Sequence, residues 1–228
     1  MKRKALLLIF TAALAFSVPA KAADVFLLGF SGFDYESPNP NGSVYLAVGE
    51  GYKAVGFVTS FGPLLDTYVD TGANEYTFYM FNLTVTGSSF VGGVLEVTFS
   101  PGRGRYYEDP RSSGTPAVYG SGPPNATSPS TFIDGSVAIG GSIVNMVLAY
   151  DFGANQGDFV GQMNLDEGSD LTYVPSGQRN GWHLGGLVGR PNTIIPAGYD
   201  NQIQGECRLP DATPTTTKTW GSLKALYR

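Results

Sequence analysis

Most active sites draw on histidines, cysteines and paired acids, and this chain has almost none of the first two. His183 is its only histidine and Cys207 its only cysteine. A zinc centre needs three or four nitrogen or sulfur ligands, so one of each excludes the usual zinc sites. A Ser-His-Asp triad would have to use His183, yet no Gly-x-Ser-x-Gly elbow occurs in the chain. Flanked by Trp182 and Leu184 in an apolar run, His183 is expected to be structural. Gly185-Gly186-Leu187-Val188-Gly189 lacks the lysine and the following helix of a phosphate cradle. Glycoside hydrolysis needs two carboxylates facing each other across a groove, and nineteen acids supply candidate pairs too freely to single one out.

Two chemistries remain. Hard cations bind loop-borne carboxylate and carbonyl oxygens, and the acidic turn Asp166-Glu167-Gly168-Ser169-Asp170 is the candidate calcium site, with Asp166, Glu167 and Asp170 as ligands. Asp66, Asp70 and Asn74 form a second polar cluster; neither matches EF-hand spacing. Aromatic rings stack on sugars and other apolar faces, so Tyr106, Tyr107, Tyr119, Trp182 and Tyr199, placed in or near loops, are the candidate ligand-binding residues.

The elements that position these residues are strands. Of 228 residues, 31 are glycine and 15 proline, too many helix breakers for a mostly helical chain, while 42% hydrophobic and 13% aromatic residues suffice for a packed core. Strand side chains alternate between faces. Leu95, Val97 and Phe99 oppose Glu96, Thr98 and Ser100. Phe159, Gly161, Met163 and Leu165 oppose Val160, Gln162, Asn164 and Asp166. Over Ile143 to Phe152, Val144, Met146, Leu148, Tyr150 and Phe152 are expected on one face. Glu75 to Thr86 carries Phe78 and Met80 on one side and Tyr79, Phe81, Leu83 and Val85 on the other, which predicts a strand covered on both faces. With Ser43–Val48, Tyr52–Phe61, Gly135–Ile139, Trp182–Val188 and Gln202–Leu209 the count reaches about nine, and Thr86-Gly87-Ser88 is expected to be a hairpin turn. Proline-rich Pro101 to Ser130 is expected to be a long ordered surface loop, since proline cannot donate to a ladder. The fold class is all-β: an antiparallel two-sheet sandwich of jelly-roll or Greek-key type with a short C-terminal helical tail, the alternative being a closed β-barrel.

Domain organisation follows from composition. Residues 1–22 have the basic start, apolar centre and Ala20-x-Ala22 ending of a secretory signal peptide. Residues 23–209 form the β domain, 210–219 a Thr/Pro linker, and 220–228 an amphipathic tail in which Trp220, Leu223 and Leu226 recur at helical spacing. Removing the signal leaves ten basic residues against nineteen acids, a field that repels phosphate backbones and excludes nucleic acid as a partner. One cysteine permits no intramolecular disulfide, so stability must come from packing.

Tyr107-Glu108-Asp109-Pro110, Gly114-Thr115-Pro116, Pro123-Pro124-Asn125-Ala126-Thr127, Asp134-Gly135 and Gly198-Tyr199-Asp200, together with the ending Thr219-Trp220-Gly221-Ser222-Leu223-Lys224-Ala225-Leu226-Tyr227-Arg228, resemble uncharacterised exported β-rich proteins of environmental bacteria. The resemblance implies export and a β fold and carries no activity. The sequence therefore predicts an exported, non-enzymatic surface, matrix or binding module, located in the periplasm, at the cell surface or outside the cell. A polysaccharide or cell-surface component is the expected partner, and the tail is expected to be read by a sorting or anchoring partner. Two further readings stand beside this one: a carbohydrate-binding module or glycoside hydrolase, and an outer-membrane barrel, whose alternating strands would look similar.

Overall fold

A computed structural model of the chain describes residues 24–37, 47–119, 130–190 and 195–210, and within them the alternating runs form nine β-strands. These are β1 (Val25–Ser37), β2 (Gly51–Phe61), β3 (Asn74–Val91), β4 (Val94–Phe99), β5 (Gly102–Pro110), β6 (Ser136–Asp151), β7 (Gln156–Glu167), β8 (Trp182–Gly189) and β9 (Asn201–Leu209). Every pairing is antiparallel, and β9 returns to pair with β1, with Asp34 opposite Asn201. Strands β4 and β5 both lie between β3 and β6, interrupted at Ser100 and Pro101, so nine strands fill eight positions around a ring.

The expected two-sheet sandwich is thus corrected to its alternative, a closed β-barrel of meander topology. The cause lies in long, bulged strands: β3 has 18 residues and β6 has 16, and bulges add the bend that closure requires. One such bulge sits at Asn82, φ +59°, where two residues of β3, Phe81 and Asn82, oppose the single residue Lys53 of β2. It turns Leu83 and Val85 onto the same inward face as Phe78 and Met80, correcting the expected split between faces. Asn145, φ +54°, does the same on β6, so that Ile143 and Met146 both point inward and Val144 leaves the buried face. Asparagine suits both places because its short polar side chain tolerates the left-handed region.

Other boundaries differ from expectation. β1 has no counterpart among the expected strands, and β5 occupies the start of the segment expected to be loop, so the excursion begins at Arg111. Gly135–Ile139 and Ile143–Phe152 merge into a single strand, β6. The turn expected at Thr86-Gly87-Ser88 lies at Gly92-Gly93, whose φ values of +63° and +90° suit a tight hairpin. Of the expected strand at 43–48, residues 43–46 fall outside the described residues and Val48 is in a turn. The signal peptide, nearly all of the linker and the tail also lie outside them.

The alternation expected for β4 and β7 is realised, with Leu95, Val97, Phe159, Met163 and Leu165 all buried. The barrel is filled by such side chains. Phe30 packs on Phe78 with ring centroids 4.7 Å apart and on Phe159 at 6.3 Å, and Tyr52 packs on Phe99 at 5.2 Å. Trp182 is fully buried, and its indole N–H donates to the Gln178 carbonyl at 2.6 Å. A second, smaller core lies outside the wall. Tyr35, Val55, Phe57 and Tyr79 project outward from β1, β2 and β3 and are covered by Ala117, Tyr119, Phe132 and Tyr199. The Thr77 hydroxyl donates to the Phe132 carbonyl at 2.8 Å, and Ala117 N–H donates to Glu75 at 2.7 Å, which fastens the excursion to the wall. Among the described residues no helix is long and apolar enough to cross a membrane.

Candidate functional site

The aromatic candidates are distributed over both cores. Tyr106 and Trp182 point into the barrel, Tyr119 and Tyr199 meet edge to face at 5.6 Å in the outer cluster, and Tyr107 is buried beside Arg105. Their rings are committed to packing, and only Tyr119 and Tyr199 come together.

Two of the three acidic candidates, Asp166 and Glu167, are engaged by guanidinium groups. Arg103 donates to Asp166 at 2.6 Å and to Glu167 at 2.6 Å, and Arg105 donates to Glu167 at 2.8 Å. The hydrogen bonds from Arg105 and then Arg103 hold the Glu167 carboxyl below the usual carboxylate range. Asp170 accepts the Ser169 hydroxyl at 3.1 Å. In the second cluster, Asp70 accepts the N–H groups of Gly72 and Ala73, a polar turn. No group of three or more His, Cys, Asp or Glu side chains placed to hold a metal occurs among the described residues.

A feature that sequence reasoning missed is an acidic cluster at one mouth of the barrel. Beyond Phe30 and Gly32 along the inward face of β1, the next two inward positions are Asp34 and Glu36, 1% and 3% exposed. Asp200, also buried, enters from the segment before β9: its carboxylate accepts Glu36 N–H at 3.0 Å and its N–H donates to the Asp34 carbonyl at 2.9 Å. Asp34 accepts hydrogen bonds from Asn201 N–H at 2.7 Å, from the Asn201 side-chain amide at 3.1 Å and from the Tyr52 hydroxyl at 3.1 Å. Burial, and then the nearby Asp200 charge, push the Asp34 carboxyl up to about 7 against the opposing pull of those donors. Burial likewise raises Glu36 to about 8, with Asp200, Glu50 and Asp34 adding to it. Acids at two inward positions of an otherwise apolar alternation were the signal that could have found it.

The outer wall carries a furrow. A cavity of about 460 Å³ is lined by Asn155, Gln156, Leu187, Arg190, Gln202 and Gln204. A second, of about 480 Å³, is lined by Phe26, Thr59, Ser60, His183, Gln204 and Glu206, and shares Leu187 and Gln204 with the first. Together they cross β7, β8, β9, β1 and β2, four inter-strand spacings or roughly 19 Å. The furrow sets the amides of Asn155, Gln156, Gln202 and Gln204 and the hydroxyls of Thr59 and Ser60 among apolar side chains and glycines, with Leu187, 66% exposed, at its centre. Asn155 anchors one end: its side-chain oxygen accepts the Tyr150 hydroxyl at 2.7 Å and its amide donates to the Arg190 carbonyl at 2.8 Å.

No protein-family model, no curated protein and no solved structure matches this chain.

Proposed function

We propose that this protein is an exported, non-enzymatic binding module, a solid barrel that engages its ligand on the outer wall, and that the ligand is a neutral, hydroxyl-rich chain such as a polysaccharide. The single observation carrying this reading is the pair of adjoining cavities over β7–β8–β9–β1–β2, which share Leu187 and Gln204 as lining. Side-chain amides both donate and accept, which suits sugar hydroxyls, and an exposed leucine offers an apolar patch for a ring face. Lined by one arginine and one glutamate, the furrow favours neither an anionic nor a cationic ligand. With aromatic side chains filling the barrel, the wall is the surface left for binding.

The outward positions of β7 are Asp158, Val160, Gln162, Asn164 and Asp166, and those of β9 are Gln202, Gln204, Glu206 and Arg208. A barrel embedded in lipid turns an apolar band outward, so this polar wall supports a barrel surrounded by water over the outer-membrane reading. Export rests on residues 1–22 of the sequence, and the tail at 220–228 supplies the anchoring or sorting element.

Affinity electrophoresis of the processed protein through gels containing neutral polysaccharides tests the reading. Retardation by at least one polysaccharide, lost in Leu187→Asp and Gln204→Glu variants of unchanged melting temperature, is expected. Unretarded migration in every gel, or retardation that both variants keep, refutes it.

A further inference from the structure

The barrel mouth holds hydrogen-bond acceptors in excess of donors. Asp34 has its oxygens occupied by Asn201 and Tyr52. Glu36 is different: neither carboxylate oxygen meets a hydrogen-bond donor, although both are shielded from water. Asn201 is 95% buried, since 5% of its surface is exposed. Its amide nitrogen is turned to Asp34, and its side-chain oxygen is left without a donor. The charged groups that act on Glu36 are Asp200, Glu50 and Asp34, all acids. Buried acceptors without donors on two adjoining strands are costly, and such atoms in native proteins mark bound water or ions.

An oxygen-only set combining carboxylates with a neutral amide matches what calcium takes. We propose that Glu36, Asp200 and Asn201 form a calcium site at this mouth, two carboxylates and one amide oxygen, with water completing the shell. Asp34 is the positioning residue: by holding the Asn201 amide nitrogen, it presents the amide oxygen. The candidate calcium site moves accordingly from Asp166, Glu167 and Asp170, where arginines neutralise two of the three carboxylates. Bound here, the ion ties the end of β1 to the start of β9, the seam at which the barrel closes.

The test uses the processed full-length chain, stripped with chelator and held in mildly alkaline buffer. Calcium is expected to raise the melting temperature, and Tb³⁺ is expected to give tyrosine-sensitised luminescence, from Tyr52 beside Asp34, that calcium competes away. Glu36→Gln, which preserves shape and removes charge, should weaken Tb³⁺ binding about tenfold or more, whereas Asp166→Asn should leave it unchanged. Should Glu36→Gln fail to fold, the wild-type competition, at one ion per chain and unaltered in Asp166→Asn, decides. The proposal is overturned if neither signal responds to the ions, if K⁺ at equal ionic strength reproduces the thermal shift, if Glu36→Gln binds Tb³⁺ like wild type, or if Asp166→Asn abolishes the luminescence.

Discussion

Arg105 on β5 reaches Glu167 on β7 across the intervening strand, and it does so over Gly140, which stands in register between them on β6. A Cβ on Gly140 would come 2.7 Å from the Glu167 carboxylate oxygen and 3.1 Å from the Arg105 stem. The ion pair itself is about one third exposed at each end, so solvent screens it and its contribution is at most ~1 kcal/mol. The glycine is what allows two non-adjacent strands to share it.

From this geometry, Gly140→Ala should cost about 1 kcal/mol, because the crowded atoms belong to flexible side chains that can swing away. Gly141→Ala, one residue on, should cost more, about 3 kcal/mol, because its Cβ would lie 2.0 Å from the Asn164 carbonyl oxygen, which is backbone. Thermal melts of the two variants and of Glu167→Gln check the order. A Gly140→Ala loss equal to that of Gly141→Ala would mean that the ion pair, not the backbone, sets the spacing.

The acidic mouth gives the protein a pH dependence of definite sign. The folded carboxyls of Asp34 and Glu36 hold their protons up to about 7 and about 8, whereas in the unfolded chain they release them near pH ~4. Between those limits the folded state binds more protons than the unfolded one, so stability falls as pH rises. In the presence of chelator the melting temperature should drop by on the order of 5–10 °C across that window. Asp34→Asn, which keeps the hydrogen-bonding shape, should flatten the profile. A melting temperature that rises across the same window, or an unchanged slope in Asp34→Asn, would contradict the assignment.

Cys207 should be chemically silent in the native protein. It lies fully buried on the inward face of β9 opposite Leu184, and burial pushes its thiol well above the ordinary range, so almost no thiolate exists to react. A thiol reagent should label the chain only after denaturant unfolds it. Cys207→Ser should cost about 1–3 kcal/mol for a buried hydroxyl. Rapid labelling under native conditions would place the thiol elsewhere.

The period-two faces of β4 and β7 are legible in the sequence because nothing interrupts them: each strand keeps one phase from end to end, and burial of Leu95, Val97, Phe159, Met163 and Leu165 follows from that phase alone. On β3 and β6 simple alternation misplaces side chains, because single asparagines at 82 and 145 insert one residue and move the remainder of each strand to the opposite phase. A bulge is a local event whose sequence mark, one asparagine in a β-rich run, is too common to be diagnostic.

Composition and alternation determined that the chain is all-β, acidic and built around a packed aromatic core, because these depend on residue types and on period two. Tertiary structure alone decided that the sheet closes on itself, since closure depends on β9 finding β1 across most of the chain. That same pairing brings Asp200 and Asn201 against Asp34 and Glu36, and the five-strand wall brings Leu187 and Gln204 into one furrow. Contacts between residues so distant in sequence leave no spacing to read; only the ring of hydrogen bonds that joins the two ends of the domain sets them side by side.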